Sequence, residues 1–187
     1  MNAFPSLTTP RLRLRPLAAD DADFVFAHFS DPEVDRFLLD DDPVRTREAA
    51  QAIVDFYVGA PGPTPNRWVL ERLSDGLAIG TCGLHNWVER DRRCEVGYDL
   101  VPGAQGQGYM TEALSAVLAF GFTRLGLNRI EAIVHVDNAA SLRLLSRLRF
   151  QREGVLRDLH LRDGVFHDHV VLSLLARDWT VAENQGR

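Results

Sequence analysis

The chain of 187 residues contains no lysine, so all 21 of its basic residues are arginine. A lysine base or a lysine Schiff base is therefore excluded from its chemistry. The 26 acidic residues bring the formal net charge to -5, which offers no excess of basic residues for gripping a nucleic acid backbone. We expect no nucleic acid among its partners.

Cysteines and long apolar runs are also scarce. Cys82 and Cys94 are too few for a disulfide framework, and both fall in strand-like segments where a small buried thiol is expected. No stretch approaches the roughly 20 apolar residues of a membrane span, and residues 1–7 lack the features of a secretion signal. These absences predict a reduced cytoplasmic protein that does not contact a membrane.

Periodic apolar patterns divide the chain into short strands and helices. Strands are predicted at residues 11–15, 67–73, 78–87, 94–100, 129–136, 150–161 and 165–175, the last two joined by an Asp163–Gly164 hairpin turn. Helices are predicted after an Asp20 cap and over residues 46–57, 108–125 and 138–148. The prediction is one α+β domain of mixed α/β layers, with a mostly antiparallel sheet of about six to seven strands and about four helices. The domain would span residues 1–187, folded over residues 7–177, with a short flexible tail at residues 178–187.

Residues 100–114 read Leu-Val-Pro-Gly-Ala-Gln-Gly-Gln-Gly-Tyr-Met-Thr-Glu-Ala-Leu, so three glycines lie where a strand ends and a helix begins. The N–H groups of a first helical turn and the positive end of the helix dipole favour a bound phosphate. The spacing is not the dinucleotide motif, because Thr111 stands where the third glycine belongs, and no Gly-Lys-Ser/Thr of a P-loop follows. On the glycines alone, a phosphate site and a merely tight turn both remain open.

The flanking residues narrow this choice. The run Glu95-Val-Gly-Tyr-Asp-Leu, followed by Gln105-Gly-Gln-Gly-Tyr-Met-Thr-Glu-Ala-Leu, resembles the central motif of the GNAT acetyltransferase superfamily. It is most similar to the branch of Rim-type (RimJ/RimL-like) ribosomal-protein N-terminal acetyltransferases. A second family motif is matched by residues 136–150, and the segments 9–15, 153–154 and 168–172 also match the branch. The resemblance covers residues 7–177, with its motifs in the family's order.

The resemblance implies a GNAT-like acyl-CoA N-acyltransferase fold, with acetyl-CoA as cosubstrate and no metal. The pyrophosphate would be held by backbone amides at 105–110, and the pantetheine arm would run beside the strand that ends at 100–101. Asn138 would hydrogen-bond the cofactor, although its position equally suits a helix N-cap, and Arg147 would lie near the CoA phosphates unless it is a solvated helix charge. The implied cofactor-binding residues are Leu100, Val101, Gln105, Gly106, Gln107, Gly108, Tyr109, Met110, Asn138 and Arg147.

Two positions depart from the family pattern. Gly103 stands where many members begin the phosphate motif with arginine or glutamine, but backbone amides can still bind phosphate there. Arg149 stands where the second helix usually ends in glycine before phenylalanine. A non-glycine residue at a left-handed helix end costs on the order of 1 kcal/mol, which the fold can tolerate.

Amine acetylation needs a neutral amine, a polarised carbonyl and a proton for the leaving thiolate. A strand N–H near Leu100 could polarise the carbonyl. The superfamily's usual acid is a tyrosine on the second motif helix, and Leu145 occupies that place. The resemblance therefore makes Ser141 the thiolate partner, unless it only pairs with the first-turn backbone. Glu95 is the first candidate base, which strand alternation would place on one face with Gly97 and Asp99, although it could be a surface carboxylate paired with an arginine.

His85 is a second candidate base, although a lone strand histidine is more often structural. His167 and His169 share a strand face as metal ligands would, but two ligands without a third do not predict a zinc site. Asp40, Asp41 and Asp42 could attract a cationic amine, or they could simply be solvated loop acids.

The predicted function is transfer of the acetyl group of acetyl-CoA to a primary amine, preferably a protein or peptide N-terminus such as that of a ribosomal protein, by direct attack in a ternary complex. An N-terminal amine, with a pKa of about 7.7–8.0, is already partly neutral. Two alternatives remain: acetylation of a small-molecule amine (an aminoglycoside, polyamine or amino acid), and a non-catalytic acyl-CoA sensor. The protein could be a monomer or a homodimer.

Overall fold

The computed structural model describes residues 5–38, 43–59 and 66–179. Within them it contains eight strands, five complete α-helices and a further helical turn at residues 176–179, together with three short 3-10 turns. The strands are β1 (Leu7–Thr8), β2 (Leu12–Pro16), β3 (Trp68–Arg72), β4 (Ala78–Val88), β5 (Arg93–Leu100), β6 (Arg129–His135), β7 (Gln151–Arg162) and β8 (Val165–Leu175). The helices are α1 (Ala22–Phe29), α2 (Pro32–Asp35), α3 (Arg47–Gly59), α4 (Tyr109–Thr123) and α5 (Ala139–Arg147).

One mixed sheet contains all eight strands, in the order β1-β2-β3-β4-β5-β6-β8-β7. The β1–β2, β2–β3, β3–β4, β6–β8 and β7–β8 pairs are antiparallel, whereas β5 and β6 are parallel. The predicted α+β class with a mostly antiparallel sheet is confirmed. The described sheet has one strand more than the upper predicted count because β1 has only two residues, too few to show a periodicity. The same reason applies to α2, which has four residues.

The chain divides into two compact units, and the first comprises residues 5–86 and 97–117 of the described chain. Its α1 and α3 pack their apolar faces into one core with Val34, Val44 and Val69. The N-cap of α1 is Asp21 rather than the predicted Asp20. Its carboxylate binds Arg15 through two 2.7 Å contacts, so Asp21 is held in place before the helix begins.

The second unit comprises residues 87–96 and 118–179 of the described chain. In β6 every second residue is buried, which gives Ile130, Ala132 and Val134 to the core. The predicted hairpin between β7 and β8 is confirmed, since Asp163 and Gly164 have φ angles of 51° and 79°. Positive φ at both central residues is the requirement of a type I′ turn. Whether the two units fold as one domain over residues 1–187 stays a prediction, and the tail beyond residue 179 lies outside the described residues.

Candidate functional site

The glycine-rich turn joins β5 to α4 in the way that the sequence predicted. A 3-10 turn over Pro102–Ala104 follows the strand, and Gly106 and Gly108 then have φ angles of 72° and 80°. Side chains rarely adopt this backbone region, so these two glycines let the chain turn directly into the helix. Space is open where a Cβ on Gly106 would lie, with no atom of the described residues within 4 Å. At Gly106 the turn therefore exposes backbone with no described side chain over it, just before the start of α4.

Side chains within the turn hold its shape. Gln105 donates through Nε2 to the carbonyl of Leu100 at 3.2 Å, and Gln107 donates to the carbonyl of Gly103 at 2.8 Å. The amide of Val101 donates to the carbonyl of Ile79 at 2.9 Å, so that N–H already has a partner in β4. Among the residues predicted to bind cofactor, Tyr109 and Met110 form the first turn of α4, where backbone N–H groups have no carbonyl one turn earlier in the helix.

Arg11, just before β2, braces this turn from the outside. Its Nη1 donates to the carbonyl of Gln107 at 3.0 Å, and its Nε lies 2.6 Å from Oε2 of Glu112 on α4. Its guanidinium carbon lies 4.5 Å from the centre of the Tyr109 ring. Glu112 also accepts from the Arg11 amide at 2.8 Å and from the Thr9 hydroxyl at 2.6 Å. The contact joins residues 101 apart in sequence, and no local pattern in the sequence indicates it.

In the second unit, α5 carries the other predicted site residues. Asn138 is the N-cap of this helix, and its Oδ1 accepts from the amide of Ser141 at 3.0 Å. The capping alternative for Asn138 is thus confirmed, and its amide nitrogen is not used in that contact. Ser141 is buried at the third position of the helix. Its place in the first turn is the one that the sequence predicted.

The far end of α5 contains Leu145 and Arg149, two positions where this chain differs from the usual family residue. Leu145, in the position of the usual tyrosine, is fully buried and packs as a core residue. Arg149 has a φ of 65°, and its amide donates to the carbonyl of Ser146 while the amide of Phe150 donates to that of Leu145. These two bonds form a Schellman motif with arginine in the left-handed position, so the helix keeps this end geometry without a glycine. Arg147 is exposed in the last turn.

Glu95 lies in a charged row of the second unit. It stands opposite Glu131 in the parallel β5–β6 pairing, and Glu131 accepts from Arg129 at 2.6 Å and lies 3.7 Å from Arg93. Arginines are therefore paired with the carboxylate opposite Glu95, the kind of surrounding that the surface-carboxylate alternative expected. The expected alternation does not extend along all of β5, because Cys94 and Val96 are buried but the next buried residue is Asp99. Asp99 therefore does not continue the half-exposed series that begins at Glu95.

His85 lies on β4 against a gap in β5. A Cβ added to Gly97 would lie 3.0 Å from Cε1 of His85, so the missing side chain of the glycine makes room for the imidazole. The second candidate base is thus packed against Gly97, which lies three residues before the end of β5 at Leu100. Asp40, Asp41 and Asp42 lie outside the described residues.

A buried polar cluster in the first unit has no counterpart in the sequence analysis. Asp99 accepts the Thr81 amide at 2.9 Å, the Thr81 hydroxyl at 2.8 Å and Nη1 of Arg67 at 3.1 Å, and its Oδ1 lies 2.5 Å from Nε2 of His28. Burial raises the pKa of this carboxyl, but the bond to His28 and the nearby positive charge of Arg67 outweigh it, so the pKa lies below its ordinary value. His28 lies on α1, Arg67 directly before β3, Thr81 on β4 and Asp99 on β5, and only Arg67 and Asp99 would be recognised as charged.

Histidines also cluster in the second unit. Nε2 of His135 lies 3.2 Å from Nδ1 of His167, and His169 is buried with the rings of His135 and His160 edge-on to it. Burial, followed by the charges of the neighbouring histidines, lowers the pKa of His169. Across the described parts of the chain, no group of three or more His, Cys, Asp or Glu side chains is arranged to hold a metal ion.

Both cysteines are buried and unpaired, as predicted. Burial raises the pKa of the Cys94 thiol to about 12, so it carries no thiolate near neutral pH. Burial also raises the pKa of Cys82. The described helices include none that is long and apolar enough to cross a membrane.

The fold is a mixed sheet with a glycine turn between β5 and the long helix α4, and a family comparison identifies the class of protein. Residues 11–151 match the family model described as the acetyltransferase (GNAT) domain. The chain belongs to the GNAT acetyltransferase family, whose members use acetyl-CoA as cosubstrate. The predicted class of enzyme, an acetyl-CoA-dependent N-acetyltransferase, is confirmed.

Individual relatives agree with this placement. The chain is 38% identical to the uncharacterized N-acetyltransferase YoaA of Bacillus subtilis (strain 168) over 172 residues, 92% of this chain and 97% of that protein. It is 37% identical over 103 residues to the [ribosomal protein uS5]-alanine N-acetyltransferase of Escherichia coli (strain K12), 54% of this chain and 53% of that protein. A GNAT-family acetyltransferase from Bacillus anthracis superposes with a TM-score of 0.82 at 22% identity, over 92% of this chain and 99% of that chain, which shows the fold alone.

Proposed function

We propose that this enzyme acetylates the N-terminal amine of a protein or peptide, with a ribosomal protein as the preferred acceptor class, in the cytoplasm. The likeness of half the chain to an acetyltransferase whose substrate is an alanine of ribosomal protein uS5 is the observation that carries this acceptor class. The chemistry is consistent with it. The chain has no lysine that could act as a base. An N-terminal amine has a pKa of about 7.7–8.0, so part of it is already neutral at physiological pH and can attack without a strong base.

Residues 105–110 would hold the pyrophosphate of acetyl-CoA. Support comes from the exposed backbone of the turn and from the positive φ angles of Gly106 and Gly108, which keep side chains away from an approaching phosphate. Leu100 and Val101 would flank the pantetheine arm. The Val101 amide has a partner in β4, so Val101 would contribute packing rather than that N–H.

In the proposed reaction the neutral amine nitrogen attacks the thioester carbonyl carbon. The N–C bond forms, the C–S bond breaks, the amine gives up a proton and the departing thiolate gains one. Ser141 would donate that proton, because Leu145 has no hydroxyl. Asn138 would support the cofactor with the amide nitrogen that its capping bond leaves unused, and Arg147 would lie near the CoA phosphates.

Glu95 and His85 remain the two candidates for receiving the amine proton, directly or through water. Glu95 stands opposite Glu131, which is paired with Arg93 and Arg129. Histidine is the residue type whose ordinary pKa, about 6.5, lies nearest neutral pH. The substitutions Glu95→Gln and His85→Gln distinguish the two candidates. In the wild type kcat/KM should rise as the pH is raised, and the variant that alone loses this rise identifies the base.

The acceptor is tested by following CoA release with a thiol reagent. Acetyl-CoA is supplied with peptides that begin with Ser, Ala or Met, with the same peptides blocked by an N-terminal formyl group, and with spermidine, an aminoglycoside and free amino acids. Release that requires a free peptide N-terminus supports the proposal. Release with a small amine alone would assign the small-molecule alternative, and binding of acetyl-CoA without turnover on any amine would assign the sensor.

A further inference from the structure

We propose that Arg11 belongs to the cofactor site, as the cation that positions the phosphate-binding turn and contacts the cofactor phosphates. The inference rests on the proposed placement of acetyl-CoA at residues 105–110. Nothing in the sequence motifs assigns a role to this residue, since the family pattern begins its phosphate motif at position 103, where this chain has glycine.

The side chain of Arg11 contacts or adjoins three consecutive residues, Gln107, Gly108 and Tyr109. Its Nη1 bonds the carbonyl of Gln107, its Nη2 lies 3.5 Å from the place where a Cβ of Gly108 would be, and its guanidinium carbon stacks over the ring of Tyr109. A side chain at Gly108 would therefore occupy the space beside the guanidinium. The left-handed glycine thus serves two needs, the turn itself and the close approach of a positive charge.

One end of the guanidinium is fixed and the other is available. Nε is held by Glu112 at 2.6 Å, and Nη1 by the Gln107 carbonyl at 3.0 Å. No hydrogen bond to Nη2 is found within residues 5–38, 43–59 and 66–179. The side chain keeps 46% of its surface exposed, and we infer that Nη2, which has no partner among these residues, lies in the exposed part.

This arrangement suits a phosphate better than a purely structural bridge would. A guanidinium presents its donors in a rigid planar fork, and Arg–phosphate contacts are charge-assisted. Holding Nε and Nη1 in place removes rotamer freedom before the ligand arrives, which lowers the entropic cost of binding. Arg11 thereby supplies the positive side chain that Gly103 does not.

The experiment compares CoA with pantetheine, which lacks the adenosine as well as the phosphates. Binding of CoA and of pantetheine, which lacks every phosphate, is titrated by calorimetry or ligand-observed NMR against the wild type, Arg11→Ala and Arg13→Ala. Arg13 is the matched control, because it lies two residues further along on β2, is exposed and contributes the same charge to the whole molecule. We expect Arg11→Ala to weaken CoA binding about tenfold or more, the size of a lost charge-assisted hydrogen bond, while pantetheine binding stays within twofold. Arg13→Ala should change neither.

Three outcomes overturn the inference. Equal CoA affinity in Arg11→Ala and Arg13→Ala would show that Arg11 does not contact the phosphates. Parallel weakening of CoA and pantetheine in Arg11→Ala assigns the residue a purely structural role. Failure of wild-type protein to bind CoA at all rejects the proposed function itself, and is thus distinguishable from failure of the Arg11 inference alone. Arg11→Lys, which keeps the charge but not the fork, should bind CoA with intermediate affinity.

Discussion

Replacing Asp99 by asparagine tests whether the buried cluster around this residue is held by its charge. The substitution keeps the size of the side chain, so no cavity forms. It removes the negative charge that faces Arg67 and turns one acceptor oxygen into an N–H donor. The side chain of Arg67 is 17% exposed, and its charge would be left with little compensation.

The magnitude follows from the contacts. Removing one member of a buried ion pair costs about 3–5 kcal/mol, because the partner's charge stays buried. The hydrogen bonds from Thr81 are partly retained by the asparagine oxygen, so the lower half of this range is expected, about 3 kcal/mol. That is a large fraction of the roughly 5–15 kcal/mol by which a folded domain is stable.

Urea unfolding at pH 7, followed by tryptophan fluorescence, measures this loss of free energy. Asp91→Asn is the control, since Asp91 is exposed in the turn between β4 and β5 and its substitution should stay within about 0.5 kcal/mol. The double variant Asp99→Asn with Arg67→Met removes both buried charges and should recover part of the stability. A loss below about 1 kcal/mol for Asp99→Asn, or no recovery in the double variant, would refute the role of the charge pair.

The pH dependence gives an independent check on the same residue. The pKa of Asp99 is lower in the folded protein than its ordinary value of about 3.9. Its contribution is therefore fully present above about pH 4 and is lost as the pH falls through the folded-state pKa. Asp99→Asn should lower stability at neutral pH and flatten the acid part of the stability profile, whereas a variant affecting only packing would shift the whole profile by a constant amount.

Three further expectations follow from α5 and from the histidine cluster. Arg149→Gly should stabilise the protein by up to about 1 kcal/mol in urea unfolding, because glycine tolerates the φ of 65°, whereas Arg143→Gly inside the helix should destabilise it by about the same amount. The pKa of His169 is lowered in the folded protein, so its stabilising contribution is present above about pH 6.5 and is lost as the pH falls through the folded-state pKa. Thermal melts between pH 8 and pH 5 should therefore show a smaller decline in stability for His169→Phe than for the wild type. Ser141→Ala should lower kcat by about 100-fold if the hydroxyl protonates the thiolate, with CoA affinity unchanged, while Ser146→Ala on the exposed side of α5 should leave kcat unaltered.

The features that the sequence predicted are those that a short window of residues determines. The glycine turn, the Asp163–Gly164 hairpin and the Asn138 cap each depend on residue types within about five positions, and backbone sterics or a single local hydrogen bond settle the outcome. Arg149 is instructive in the same way. Its departure from glycine was recognised, and the structure keeps the left-handed conformation regardless, because the Schellman bonds and the burial of Phe150 fix the chain there.

Contacts between distant segments were not predictable in this way. His28 and Asp99 are 71 residues apart, and Arg11 and Glu112 are 101 residues apart, so nothing local relates the two members of either pair. Each member has an ordinary local reading, a helix histidine, a strand carboxylate or an exposed arginine. Only the register of the sheet brings the partners together.

The contrast between these two kinds of feature bears on how acceptor specificity can be found in this enzyme. The proposed cofactor recognition would use backbone amides of a turn, and a turn leaves a signature in one short run of sequence. Recognition of an amine acceptor would use side chains, and side-chain positions depend on distant pairings such as the one that joins α1 to β5 through His28 and Asp99. Two relatives can therefore share the whole run Gln105–Met110 and still select different amines. The acceptor class proposed from likeness over half the chain is therefore decided by the peptide assay, in which CoA release must require a free N-terminus.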